Sequence, residues 1–263
     1  MTVQELDVSL FGAPGLGGTR AKVLLVSGDG AVDFLKKQKR YCTASDAEAV
    51  CISWREGNDA YVRCHKNGRP ITFCGHGLLA TAWAWRHIGR QAKRLSTDAA
   101  RFDINEDSQG KLWLHCPPVP ISEPVHLVSD AVDFGFSRPP TGSALAGGDN
   151  GYRILCWPDG FDIGLLRADF EVISARSDRA IIATSRADPD ADYDVQLRYF
   201  APQFGNPEDS VTGSACVVLA DFWRQPELTL VQRSARGGRV CVRRLPDRVA
   251  LGGEVKINRV STL

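Results

Sequence analysis

The stretch FCGHGLLATAWAWRHIGR, residues 73–90, decides how the rest of the chain must be arranged. Beyond Gly77 it runs through Leu78, Leu79, Ala80, Ala82, Trp83, Ala84 and Trp85, which leaves almost no polar direction around a helix. A surface helix keeps a charged face; one that is apolar all round has to be enclosed. Gly89 is a natural stop for it. A second stretch, VTGSACVVLADFWRQP (211–226), repeats the pattern. Laid over the first without a gap, Gly213 meets Gly75, Ala220 meets Ala82, Trp223 meets Trp85 and Arg224 meets Arg86. Each is preceded by a strand-like run, AYVRC (60–64) and DVQLRYF (194–200). Two copies of one unit follow from this, each a sheet curled around one buried helix. A proline-rich divider, CPPVPISEP (116–124), sets the expected halves at 1–117 and 118–263.

The first half carries further strand signals in Val3–Phe11, AKVLLV (21–26), Ala49–Trp54 and Asp59–Cys64. Residues 33–41 are polar and lysine-rich and suit a short exposed helix. The loop GAPGLGGTR (12–20) approaches a phosphate-binding loop, but Gly18 stands where lysine is needed and a strand follows in place of a helix.

Composition narrows the class. The chain has 263 residues, 43% apolar and 24% charged, with 32 basic and 31 acidic side chains. That is the profile of a folded globular protein with no overall bias toward polyanions. The basic run RSARGGRVCVRRL (233–245) lacks interleaved aromatics and reads as a solvated edge, so no nucleic-acid partner is expected. No apolar run approaches the length of a membrane span, and the start MTVQELDVSLFG has no secretory character. Eight dispersed cysteines without a CxxC pair point to a reducing, cytoplasmic setting. Cys64, His65, Cys74 and His76 lie close in sequence, but no further ligand pair completes a zinc site, and no metal is expected.

Both helix starts carry glycine beside a polar residue: Gly75-His76-Gly77 and Thr212-Gly213-Ser214. A helix start offers unpaired N–H groups and a positive dipole end, a natural seat for a carboxylate. Ordinary capping by Thr212 or Ser214 explains the same residues.

The segment GNPEDSVTGSAC (205–216) resembles the second signature of the PhzF-like family (phenazine biosynthesis protein F), and FCGHGLLATA (73–82) resembles its first, which is shared with proline racemases and diaminopimelate epimerase. Order, spacing, the divider and the glycine-rich C-terminal strands fit over most of the chain. The resemblance implies an α+β fold of the diaminopimelate epimerase-like kind. It has two pseudo-symmetric halves, each a mixed, barrel-like sheet around a buried helix, with the active site in the cleft between them. It implies a cofactor-independent isomerase that shifts a proton on a small carboxylate substrate, and a homodimer. His76 and Asp209 fall on the family's His and Asp as catalytic residues. Gly75, Gly213 and Ser214 fall on its backbone and hydroxyl binding positions, and Gly77 and Thr212 at the same helix starts are further substrate-binding candidates. The family's acid/base Glu falls on Asp46 in SDAEAV (45–50), one methylene shorter, with Glu48 an alternative two residues on. A second departure puts Pro70 at the family's acidic position ahead of the first signature. Cys74 is the thiol alternative, for a one-thiol epimerase or dehydratase, since Thr212 rather than a second cysteine matches it in the other half. A non-catalytic small-molecule-binding homologue is the remaining reading.

Overall fold

The computed structural model describes residues 2–28, 41–42, 47–57, 59–66, 68–71, 73–127, 134–149 and 151–263. The helix expected over 33–41 lies outside these residues but for Tyr41, and the candidate carboxylate Asp46 lies outside them altogether. In chain order the elements are β1 (Thr2–Leu10), β2 (Thr19–Ser27), β3 (Ala49–Glu56), β4 (Asp59–Lys66), β5 (Arg69–Ile71), α1 (Gly75–His87), β6 (Arg94–Ser96), β7 (Arg101–Glu106) and β8 (Leu112–Cys116). There follow β9 (Ile121–Leu127), β10 (Gly142–Ala146), β11 (Tyr152–Cys156), α2 (Phe170–Arg176), β12 (Ala180–Arg186) and β13 (Val195–Phe200). The last are α3 (Gly213–Trp223), β14 (Glu227–Gln232), β15 (Gly238–Arg244), β16 (Val249–Gly252) and β17 (Val255–Thr262). No helix among the described residues is long and apolar enough to cross a membrane.

Residues 1–117 together with 250–263 form one compact unit, and residues 118–249 form the other. The division after residue 117 matches the proline-rich divider, but the expected second half, 118–263, gives up its end. Strand β17 runs antiparallel to β1, from Gln4 opposite Thr262 to Leu10 opposite Val255. Without it β1 would show a long unpaired edge, which folded sheets avoid. That demand outweighs chain order.

The pairing pattern repeats in the two units. In the first, β1–β2 is antiparallel, β2–β3 parallel, β3–β4 antiparallel, β4–β6 parallel and β6–β7 antiparallel. In the second, β10–β11, β11–β12, β12–β13, β13–β14 and β14–β15 follow the same alternation. The helix sits at the same step of each series, α1 between β4 and β6, and α3 between β13 and β14. Sequence duplication and sheet topology therefore agree.

Both helices are enclosed, as their composition requires. Helix α1 touches β1, β2, β3, β4, β8 and β17, and α3 touches β9, β14 and β15. In α1 every residue from Gly75 to Trp85 is buried except Trp83. A buried tryptophan usually finds a partner for its N–H. Trp85 Nε1 donates to Ser53 Oγ at 2.8 Å, and Ser53 Oγ donates to the Tyr61 carbonyl at 2.8 Å. At the far end Gly89 takes φ +72°, the left-handed turn that ends a helix, and its N–H reaches the Arg86 carbonyl at 2.9 Å.

Gly77 is required by packing. A Cβ there would stand 2.5 Å from Cys51 Sγ, 2.9 Å from Cys74 Sγ and 3.0 Å from Cys64 Sγ. Gly77→Ala gains up to about 1 kcal/mol of helix propensity, against about 1–3 kcal/mol for overpacking a filled core. The clash dominates, because three sulfurs in a closed space have to move. The urea midpoint should therefore fall by an amount equivalent to about 1–2 kcal/mol with an unchanged m-value.

Candidate functional site

Each unit presents its own polar group at the start of its enclosed helix. In the first unit Cys74 is the N-cap of α1 and has no side-chain capping bond. The first bond of the helix ladder runs from Leu78 N–H to the Cys74 carbonyl at 2.9 Å, so the N–H groups of residues 75–77 stand ahead of it. His76 is buried, and Cys74 Sγ lies 3.8 Å from its Nδ1 and 3.7 Å from its Nε2. Hydrogen bonds from the Cys51 and Cys64 thiols hold Cys74 well below the ordinary thiol range, and the neighbouring His76 adds to this. The helix dipole favours the same anion. Burial pushes Cys51 up, and the hydrogen bond with Cys51 pushes Cys64 up, so of the three sulfurs Cys74 is the one that favours the anion.

Glu48 lies just ahead of β3, and its carboxylate accepts a short hydrogen bond from the buried Thr19 hydroxyl on β2. Its backbone N–H donates to the Arg20 carbonyl at 3.1 Å. These bonds tie Glu48 to the strand beside it.

In the second unit the loop before α3 is tightly bonded. Asp209 is buried; its N–H donates to the Tyr199 carbonyl at 3.1 Å and its Oδ2 accepts from Thr212 Oγ1 at 2.7 Å. Thr212 occupies the N-cap position without capping, because its hydroxyl is turned to Asp209. Gln232, at the end of β14 and fully buried, spans the loop. Its Nε2 donates to the Asp209 carbonyl at 2.6 Å, and its Oε1 accepts the Thr212 N–H at 2.8 Å. Next to Asp209, Glu208 takes a two-pronged ion pair from Arg198 at 2.7 and 2.8 Å. Ser214 hydrogen-bonds the Tyr152 phenol. Burial raises the phenol of Tyr152, and raises that of Tyr199 further with the charge of Asp209 nearby.

Cys74, Gly75, His76 and Gly77 are thus gathered at one helix start, and Asp209, Thr212, Gly213 and Ser214 at the other. Among the described residues no group of three or more His, Cys, Asp or Glu is arranged to hold a metal ion. Cys64 and His65 are adjacent on one strand and point to opposite faces, so they cannot join Cys74 and His76 as a ligand set. Tyr152, Tyr199 and Gln232 belong to this second group, yet the sequence reading passes over them. Gln232 carries a weak signal, an amide closing the otherwise apolar run LTLV. The tyrosines carry none, because their role depends on which strands become neighbours.

Because burial opposes ionisation, Tyr152 and Tyr199 stay protonated in the folded protein beyond the ordinary phenol range, and their stabilising share, complete below about pH 10, is lost as the pH rises above it. In a spectrophotometric titration of the native protein to pH 10.5, Tyr152→Phe and Tyr199→Phe should leave the phenolate amplitude unchanged. A drop with either variant would show that phenol to be open to solvent.

The family model for phenazine biosynthesis-like protein matches residues 154–240. An uncharacterized isomerase of Halalkalibacterium halodurans is 30% identical over 195 residues, which is 70% of each chain. One from Pseudomonas aeruginosa is 27% identical over 236 residues, 82% of each chain. Among solved structures, a PhzF-family phenazine biosynthesis protein of Enterococcus faecalis shares the fold at a TM-score of 0.83, with 21% identity, across 100% of this chain and 99% of that one. With the repeated strand series, the two enclosed helices and the signatures at their starts, these likenesses show that the chain belongs to the phenazine biosynthesis-like (PhzF-like) family.

Proposed function

We propose that the protein is a cofactor-independent isomerase that moves a proton within a small carboxylate-bearing metabolite. The observation that carries this reading is the repeated helix start, each with glycine-flanked N–H groups and a buried polar side chain at hand. The isomerase names of the relatives in Halalkalibacterium halodurans and Pseudomonas aeruginosa support the reaction class. Backbone N–H groups at a helix start favour a bound anion by a few tenths to about 2 kcal/mol. They do so without moving, since the enclosing sheet fixes the helix. In this reading they hold the substrate carboxylate. His76 and Asp209 orient the carbon acid and exchange protons with its polar groups, while Ser214 adds a hydroxyl donor. Asp46 is the proton-moving group, because it stands where the family keeps its acid/base Glu. Glu48 is the less suited carboxylate, since its bond to Thr19 already occupies it. The protein works as a homodimer, to be checked by sedimentation equilibrium.

A second reading keeps the fold and gives the proton transfer to Cys74. The observation in its favour is the thiol held low by Cys51, Cys64 and His76.

Proton exchange in D₂O over a panel of small unsaturated and amino carboxylic acids tests both. The first reading expects deuterium at one substrate carbon with no added metal or nucleotide and no effect of a chelator. A positioned acid or base contributes about 10²–10⁴ in rate, so Asp46→Asn should slow exchange by that factor with little change in substrate binding. His76→Ala and Asp209→Asn should each slow it at least tenfold, and Glu48→Gln by less than about threefold. If Cys74→Ala abolishes exchange while Asp46→Asn does not, the thiol reading replaces it. Exchange with none of the panel, or exchange lost to a chelator and restored by a divalent metal, overturns the proposal.

A further inference from the structure

The first unit contains a group of sulfurs that the proton-shift reading does not need. Cys51 and Cys64 lie directly opposite each other on β3 and β4. Cys74 approaches them from the cap of α1, and all three sulfurs converge within 3.0 Å of the point where a Cβ of Gly77 would stand. Both strand thiols hydrogen-bond the Cys74 sulfur. All three are free, and Cys74 is the most exposed, 6% against 4% for Cys64 and none for Cys51. Neighbours directly across a strand pair have Cβ atoms about 4.5–5.5 Å apart, wide of the roughly 3.5–4.5 Å a disulfide spans. The helix-cap sulfur is therefore the better partner for either strand thiol.

We propose that Cys74 is an oxidative modification site, at which a hydroperoxide forms a sulfenic acid that a β3 or β4 thiol resolves into an internal disulfide. The chemistry balances with hydrogen peroxide as oxidant. The Cys74 thiolate attacks one peroxide oxygen, the S–O bond forms, the O–O bond breaks, and hydroxide leaves to become water. The sulfur of Cys51 or Cys64 then attacks Cys74; the S–S bond forms, the S–O bond breaks, and the departing hydroxyl takes the thiol proton as a second water. Two thiols are oxidised by two electrons and one peroxide is reduced. Such sites need thiolate character, limited access and a resolving thiol in reach. The cap position beside His76 and the two facing thiols supply the first and third; Cys74 is buried, yet it is the most exposed of the three, so a peroxide entering there would meet it first. The product would join the α1 cap to the sheet under His76. The inference does not depend on the isomerase reading.

The test treats the folded wild-type protein with dilute hydrogen peroxide, then alkylates under denaturing conditions and digests with trypsin. Two of the eight thiols should disappear, with a mass loss of about 2 Da that dithiothreitol reverses. The fragment spanning 67–86 should appear cross-linked to 64–66 or to 41–55. The rate should rise from pH 7 to pH 9 by much less than the roughly 25-fold of an ordinary thiol, since the Cys74 thiol is held low by its neighbours. Cys74→Ser should abolish the cross-link. Replacing both Cys51 and Cys64 with Ala should leave Cys74 to accumulate added oxygen instead. The proposal is overturned if fragment 67–86 stays fully alkylated while Cys241, the one partly exposed cysteine, is consumed. A Cys74 sulfinic acid in the wild type without any cross-link, or thiol loss only after unfolding, overturns it equally.

Discussion

A helix with no polar face cannot rest on a surface, and this constraint organises each unit. A sheet that encloses a helix must curl, and its strands must be long enough and apolar enough on the inner face to do so. The alternation of antiparallel and parallel pairings gives each unit enough strands around its helix, and in the first unit β17 returns to cover the edge of β1. Trp85 Nε1, caught inside, is satisfied locally by Ser53. A buried group left without a partner would cost about 1–3 kcal/mol.

Enclosure also fixes where chemistry can occur. The middle of such a helix is sealed, but its first turn keeps donors that the helix itself cannot use. At α1 the sealed space is filled by sulfur, and the cap residue is a thiol held low by the two others. At α3 the preceding loop is pinned by Gln232 and by the Arg198–Glu208 pair, and Asp209 is held on Thr212. The same structural position has thus been given different side chains. His76 and Cys74 face one helix start, and an acid, two hydroxyls and two raised phenols face the other.

Much of the fold was legible because the decisive signal was strong and appeared twice. An all-apolar helix, its gapless repeat and a proline-rich divider point to two sheet-wrapped units without reference to any relative. Glycine at each helix start announced the candidate binding positions, with His76 and Ser214 beside them, while Asp209 was singled out by the family resemblance. The sequence already lacks a ligand pair to complete a zinc site around Cys64, His65, Cys74 and His76, and adjacent strand residues face opposite ways, which separates His65 from Cys64. Gly77 read as a binding glycine, and the three sulfurs around it add a packing reason for its bare Cα.

The sequence by itself determined the two enclosed helices, their burial and the duplication, since these rest on local periodicity and on residues near one another in the chain. Tertiary structure alone decided the rest. It returned residues 250–263 to the first unit, because strand edges seek partners irrespective of chain order. It brought Cys51, Cys64 and Cys74 to one point, and Tyr152, Tyr199 and Gln232 to the loop ahead of α3. Those contacts depend on which strands lie side by side and on which face of the pleat each residue occupies. Pairing between distant strands sets both, and no local pattern records it.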